Sequence, residues 1–336
     1  MKICVIGAGV IGLSSALRIL ERFPEDEVTI FADRFSPNTT CDGAAGFWMP
    51  YKIGNTPSSL SLKWSSSTFE HLLNISKSEV GNEAGVDLTS GYKFFSEYTE
   101  APFWKDTCLG FRHVTQREID LFAPHAKDGW FFISLHCCCE KYLPWLLKQL
   151  RRKNCKLVER KIENLLELAT YFDVIVNCTG LGSYFLVKDN DLISYQGQLV
   201  TVKNVRQNLF WIDSYGPYTT SVHPREEYVI VGTTVYPGKW QTEPSLAIQD
   251  EILKRASKLV PNLRNGTVVK SWIGLRPFRS KGVRLEREVI TCGSRKVHVI
   301  HNYGHGGGGI TLHWGCAGDV ANLVGEFKHQ LLQSKL

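Results

Sequence analysis

Lys2 to Ile6 is a short apolar strand that runs straight into Gly7-Ala8-Gly9-Val10-Ile11-Gly12, and a helical run from Leu13 to about Arg22 follows. Val28-Thr29-Ile30-Phe31 reads as a second strand, and Asp33 stands just past its end. Glycines spaced this way between a strand and a helix commit the chain to a parallel βαβ unit. Gly7 makes the tight turn, Gly9 lets the backbone approach a pyrophosphate, and Gly12 lets helix and strand pack closely. The helix N-terminus faces the phosphates, and Asp33 is placed to bond a ribose hydroxyl. Strand, motif, helix, strand and acidic residue in register make a dinucleotide fingerprint. It does not separate NAD from FAD.

A second glycine turn stands near the other end, in His301-Asn302-Tyr303-Gly304-His305-Gly306-Gly307-Gly308-Gly309-Ile310-Thr311-Leu312-His313-Trp314-Gly315. It follows the strand-like run Val297-His298-Val299-Ile300 and leads into a helix-like run from about Thr311. Four successive glycines at a helix N-terminus leave bare backbone N–H groups, which accept an electron-rich ligand edge. Two such turns suggest one cofactor gripped by both. His298, His301, His305 and His313 do not form a zinc pattern, so packing roles are expected and no metal.

The chain has 336 residues, about two domains' worth, and a 43% hydrophobic fraction that allows a sizeable core,. No apolar run approaches the ~20 residues of a membrane helix. Met1-Lys2-Ile3 enters a strand at once, which leaves no room for a signal peptide,. The net charge is +6 with scattered basic residues. The densest group, Lys148, Arg151, Arg152, Lys153 and Lys156, sits at a helix end where cations suit the dipole, so nucleic acid is not expected as a partner,. Ten cysteines contain no CxxC pair, and Cys137-Cys138-Cys139 cannot easily close a tetrahedral site,. They read as reduced, mostly buried thiols of an intracellular protein. Ser334-Lys335-Leu336 is a peroxisomal address read by an import receptor,. A peroxisomal matrix protein is expected, and that compartment favours FAD over NAD.

Along the chain, Leu60 to Ile75 reads as a helix, and Tyr142 to Arg152 as another with Pro144 in its first turn,. Asp173 to Gly180 is a buried strand ending in a turn, which returns to the nucleotide sheet. Gln198–Val202 and Tyr228–Thr233 have β character, Ser245 to Leu259 is helical, and Val268 to Leu275 is a strand leading to Arg276-Pro277,. The expected fold is mixed α/β: a discontinuous Rossmann-like nucleotide domain from residues 1–50, 140–190 and 285–336. A mixed β-sheet substrate domain takes residues 51–139 and 191–284, with an active-site lid near 212–224.

Several segments together resemble the D-amino-acid oxidase and D-aspartate oxidase family. They are Gly7–Gly12, Ala32-Asp33-Arg34-Phe35, Ala44-Ala45-Gly46-Phe47-Trp48, Leu109-Gly110-Phe111-Arg112, Val176-Asn177-Cys178-Thr179-Gly180, Gly274-Leu275-Arg276-Pro277, Arg284-Leu285-Glu286 and the His301–Gly315 turn. The resemblance covers nearly the whole chain and implies FAD as cofactor. By position, Gly7, Ala8, Gly9, Val10, Ile11 and Gly12 take the pyrophosphate, and Asp33 and Arg34 the adenosine side. Thr39, Thr40, Ala45, Gly46 and Phe47 line the cofactor. Ile162 contacts adenine through its backbone, and Thr179 closes the sheet side. Gly306, Gly307, Gly308, Gly309, Ile310 and Thr311 approach the isoalloxazine ring. The reaction implied is oxidative deamination of a D-amino acid by hydride transfer from Cα to flavin N5. Dioxygen reoxidises the flavin and gives hydrogen peroxide, and the imino acid hydrolyses to a 2-oxo acid and ammonia.

Arg276 offers the planar fork that suits a substrate carboxylate, and by the resemblance Gly307 also faces the substrate. The lid departs from the family pattern. Tyr218 matches its first tyrosine if one gap is allowed, while the second falls near Ser221 with His223 beside it; for each, a substrate contact and an idle loop both remain open. Aspartate oxidases carry arginines at positions that match Ile212 and Val235, which are apolar here, and Gly307 matches the neutral-substrate enzymes. Neutral or mixed D-amino acids are therefore expected. A D-aspartate oxidase is the alternative, with Arg225 or Arg279 as sources of the missing charge. Whether the chain forms a homo-oligomer is left open. A glycine or sarcosine oxidase, an NAD dehydrogenase and a non-enzymatic nucleotide-binding protein are competing classes. Arg276, Pro277 and the complete glycine turn argue against the last.

Overall fold

The computed structural model describes residues 1–215, 219–293 and 295–333, the side chains of Leu331 and Leu332 aside. Tyr218 and the Ser334-Lys335-Leu336 tripeptide lie outside the described residues.

One sheet has six strands in the order Arg284–Cys292, Arg295–Tyr303, Val174–Asn177, Lys2–Ile6, Glu27–Ala32 and Lys156–Glu159. Neighbours run parallel, except for the outer hairpin of Arg284–Cys292 with Arg295–Tyr303. The central strands are nearly continuous apolar runs, as parallel strands covered on both faces must be,. The Val10–Arg22 helix packs against both the Cys139–Arg152 and Gly309–Gln333 helices. Leu13, Leu17, Leu143, Leu147, Val320 and Val324 share that core. Ile162, Leu165, Leu168 and Ala169 join a separate cluster with Cys4, Ile6 and Ile175. Lys2–Ile6 thus contributes Ile3 and Val5 to one core and Cys4 and Ile6 to the other, by the period-2 alternation of a strand,.

The other sheet has nine strands. Its order is Tyr236–Pro237, Leu192–Lys203, Tyr228–Gly232, Thr220–Pro224, Leu209–Ser214, Val86–Phe95, Asp128–Cys137 and Leu109–His113, with Thr267–Arg279 also paired to Leu192–Lys203. Val86–Phe95 runs parallel to Leu209–Ser214, and the other pairs are antiparallel. Val200, Val202, Val222, Val229 and Val231 form a core with Ile252, Ala256 and Leu259 of the Leu246–Leu259 helix. Ser245 caps that helix, its hydroxyl accepting from the Ile248 N–H at 3.4 Å,.

Three local expectations shift. The Cys139–Arg152 helix begins three residues before Tyr142, so Pro144 stands in its second turn. The bond its ring removes would have run to the carbonyl of exposed Glu140, and the helix continues past it,. The Thr267–Arg279 strand runs through Arg276 and Pro277 instead of ending before them. Its described partner is the single strand Leu192–Lys203, and a strand edge tolerates a proline without an N–H,. Most of the predicted lid is hairpin: Ser221 pairs with Ile212 and Val222 with Trp211. Ile212, Ser221 and His223 are therefore held by a β-ladder.

Candidate active site

The first glycine turn is built by close approach. Gly7 has φ +109°, and a Cβ there would come 2.5 Å from the Cys178 carbonyl oxygen. A Cβ on Gly12 would come 1.9 Å from the Gly7 carbonyl oxygen. Strand and helix therefore touch through bare backbone. At Gly9 an added Cβ would meet only Cys41 Sγ, at 3.4 Å. The first intrahelical bond of Val10–Arg22 runs from the Leu13 N–H to the Gly9 carbonyl at 3.0 Å. Ile11 and Gly12 N–H groups meet no protein acceptor among the described residues, so the helix end keeps free donors and a partial positive charge.

The second turn behaves differently from its sequence reading. Gly306 N–H donates to the Pro277 carbonyl at 2.8 Å, Gly307 to Lys52 at 3.3 Å and Gly308 to His305 at 2.9 Å. Three of the four glycine donors are thus occupied. The first helical bond runs from Leu312 to Gly308 at 3.0 Å, which leaves the N–H groups of Gly309, Ile310 and Thr311 without a protein acceptor among the described residues,.

Both turns border one cavity of about 700 Å³. Gly7, Ala8, Gly9, Val10, Ile11, Asp33, Arg34, Thr39, Thr40, Ala45, Gly46, Phe47, Ile162, Thr179, Gly306, Gly307, Gly309 and Ile310 all line it. Gly12, Gly308 and Thr311 do not. Gly12 is spent on the helix–strand contact, and the Thr311 hydroxyl donates to the Met49 carbonyl at 3.0 Å, fixing the segment that carries Met49. The cavity passes from the Asp33–Arg34 ion pair, 3.0 Å across and exposed, over one helix N-terminus to the other. A long, doubly anionic cofactor with an extended ring system suits this cradle, and FAD is one.

Arg276 also borders this cavity. Its Nη2 donates to Thr233 Oγ1 at 2.8 Å and its Nη1 to the Thr234 carbonyl at 3.3 Å. A Cβ on Gly197 would come 2.1 Å from Nη1, so the guanidinium occupies space that only a glycine leaves. Burial pulls its pKa down and the neighbouring Tyr51 pulls it up, and a guanidinium keeps its proton at any ordinary pH,. No carboxylate pairs with Arg276 among the described residues. A partly buried cation without a carboxylate partner, facing a cavity, is a site for an anion,.

Ser221, His223, Ile212, Leu199, Met49 and Tyr51 border the same cavity. The Ser221 hydroxyl donates to the Gly232 carbonyl at 3.3 Å. The His223 ring packs on Phe47, centroids 4.8 Å apart. Burial, helped by Arg225, pushes its pKa down to about 3, so the imidazole is neutral,. His305 also borders the cavity and burial holds it near 3. His313 donates from Nδ1 to the Ile310 carbonyl at 2.8 Å, and His301 pairs with Glu288 at 2.8 Å. No group of three His, Cys, Asp or Glu able to hold a metal occurs among the described residues. All ten cysteines are unpaired, and burial lifts the thiols of Cys41 and Cys178, which border the cavity, to about 12.

Two charges suggested for an acidic substrate are committed elsewhere. Arg225 donates to the carbonyls of Ala45 and Pro224, behind the loop that carries Gly46 and Phe47, and does not border the cavity. Arg279 pairs with Asp189 at 2.8 Å and Asp191 at 3.6 Å. Tyr51, Met49, Leu199, Trp272 and Thr233 border the cavity without having been singled out from the sequence. For Tyr51 and Met49 a signal existed: they directly follow the Ala44–Trp48 segment.

A family model described as FAD dependent oxidoreductase matches residues 2–323. D-aspartate oxidase of Homo sapiens is 39% identical over 335 residues, covering 98% of this chain and 96% of that one. D-amino-acid oxidase of Rubrobacter xylanophilus is 34% identical over 323 residues, covering 96% and 95%. Among solved structures, glycine oxidase from Geobacillus kaustophilus superposes with a TM-score of 0.76 over 97% of this chain and 95% of that one, at 19% identity, a likeness of fold alone. An FAD cradle at two helix ends, an anion site beside it and relatives matched end to end agree: this chain belongs to the D-amino-acid oxidase and D-aspartate oxidase family of FAD-dependent oxidoreductases.

Proposed function

We propose that this enzyme oxidises neutral D-amino acids to 2-oxo acids, ammonia and hydrogen peroxide. The observation that carries the reading is the pairing of a cation without a carboxylate partner, Arg276, with apolar Ile212, Leu199 and Met49 on the wall of the same cavity. Arg276 takes the substrate carboxylate through its planar fork. Thr233 and the Thr234 carbonyl hold the fork still, so binding fixes where Cα and its hydrogen stand,. His223 and His305 are neutral and add no positive charge beside the amine, which gives its proton to solvent before reaction. FAD, when bound, supplies the acceptor for the hydride from Cα, and dioxygen carries the electrons on to peroxide. The free N–H groups of Gly309, Ile310 and Thr311 supply a fixed positive end for charge that develops there,.

An acidic substrate is the second reading, favoured by the D-aspartate oxidase relative; Lys93 does not border the cavity but lies behind two residues that do, Ile212 and Met49. Lys93 pairs in register with Ile212 on the neighbouring strand, and its Nζ lies 4.0 Å from Met49 Sδ. It sits over the Phe95 and Trp130 rings at 5.1 and 5.3 Å, with no carboxylate partner among the described residues. Burial lowers its pKa to about 8, so it carries charge at neutral pH. Anaerobic loss of flavin absorbance on adding D-alanine or D-aspartate decides between the readings. Bleaching by D-alanine supports the first, and bleaching by D-aspartate alone replaces it with the second. The peroxisomal reading of Ser334-Lys335-Leu336 is part of this proposal. A tagged chain should enter peroxisomes with the tripeptide and stay outside them without it.

A further inference from the structure

We infer that Tyr51 is a second hydrogen-bond donor to the substrate carboxylate, closing a two-residue clamp with Arg276. The inference rests on the proposed binding of a carboxylate at Arg276. Tyr51 borders the same cavity as Arg276. The two act on each other electrostatically, and among the described residues Tyr51 is the one charged or titratable neighbour that Arg276 responds to. The Thr219 side chain hydrogen-bonds the phenol.

The ring is held in place by the glycine turn. A Cβ on Gly307 would lie 2.6 Å from Tyr51 Cδ1, and one on Gly306 would lie 2.0 Å from the Lys52 carbonyl oxygen. That same carbonyl accepts from the Gly307 N–H at 3.3 Å. The segment Tyr51-Lys52 is thus pressed against bare backbone and tied to it. A phenol on such a base points without needing a mobile loop.

The Ser221 and Thr233 hydroxyls nearby are spent. The proton of Ser221 goes to the Gly232 carbonyl at 3.3 Å, and that of Thr233 to the Thr234 carbonyl at 3.1 Å while its oxygen accepts from Arg276. Burial raises the Tyr51 pKa, so the phenol keeps its proton and acts as a donor,. A carboxylate accepts from both a guanidinium and an O–H because its two oxygens offer about four lone-pair sites.

The test uses the full-length FAD-loaded protein and propanoate, which is D-alanine without its amine. Propanoate binding is read from the change in flavin absorbance, with propanamide as the uncharged control. Tyr51→Phe keeps the ring that packs on Gly307, and should raise the propanoate Kd about tenfold. Propanamide binding and flavin content should stay unchanged. The KM for D-alanine should rise by a similar factor, while the limiting rate of anaerobic reduction stays within about threefold. Equal propanoate affinity in both proteins, or a wild type whose flavin ignores propanoate, overturns the inference. A wild type that binds propanoate but is bleached by no D-amino acid overturns the oxidase reading alone.

Discussion

Gly197→Ala should disable the enzyme without touching the cavity wall. Gly197 pairs with Gly274 on the Thr267–Arg279 strand and does not itself border the cavity. An alanine Cβ there would lie 2.1 Å from Arg276 Nη1, 2.5 Å from Nη2 and 2.6 Å from Cζ. Ordinary contact begins at 3.4 Å, so the guanidinium must withdraw by about 1 Å,. It is partly buried and anchored to Thr233 Oγ1 and the Thr234 carbonyl, so the movement breaks that anchorage. A misplacement of about 1 Å in a positioning group costs on the order of 100-fold, or about 2.7 kcal/mol of transition-state binding. The assay is anaerobic stopped-flow reduction of the bound flavin across a range of D-alanine concentrations. The expected loss falls on kcat/KM, with flavin content unchanged. A fully flavinylated variant within threefold of wild type would refute the view that Gly197 exists to admit the Arg276 fork.

Arg276→Met should lower kcat/KM by about 10²–10³ with FAD still bound, since it removes a charge-assisted bidentate contact of about 3–4 kcal/mol; equilibrium dialysis of the flavin and steady-state kinetics check both halves. Gly12→Ala places a Cβ 1.9 Å from the Gly7 carbonyl oxygen and should yield protein with little flavin; a normally yellow variant would contradict the packing argument. Gly318→Ala, in the Gly309–Gln333 helix, meets nothing within 4 Å and should add about 0.5–1 kcal/mol of stability, read as a higher Tm,. His223 and His305 are held near pKa 3 against an ordinary value of 6.5, so the unfolded chain binds more protons between those limits. Their contribution is complete above pH 6.5 and is lost as pH falls, by about 2 kcal/mol per histidine at pH 5. Thermal melts at pH 7.5 and 5.0 with excess FAD should separate clearly, and coincident melts would count against both burials.

Much of the cofactor site was legible because it is local. Gly7, Gly9 and Gly12 act through contacts within one strand–turn–helix unit, so their spacing alone implies the geometry that Gly7 and Gly12 show. The second turn was legible as a helix N-terminus, yet its free donors stand at Gly309–Thr311 and not along the whole glycine run. The Pro277, Lys52 and His305 carbonyls that occupy the other three come from separate segments, and two of those lie far away in sequence. The same distance hid Tyr51, whose aim depends on Gly306 and Gly307, and misplaced Arg225, which turns towards the Ala45 carbonyl behind the site.

By itself the sequence determined a βαβ nucleotide unit, a second glycine turn and an arginine fit for a carboxylate, because short-range sterics and side-chain chemistry suffice for those. Only the tertiary structure decided that Leu192–Lys203 and Thr267–Arg279 pair so that Gly197 yields its space to Arg276. It also put Lys93 beside Ile212 and closed both glycine turns on one cavity. Those are choices of strand register and of which carbonyl meets which N–H, and they are settled by the whole core packing at once.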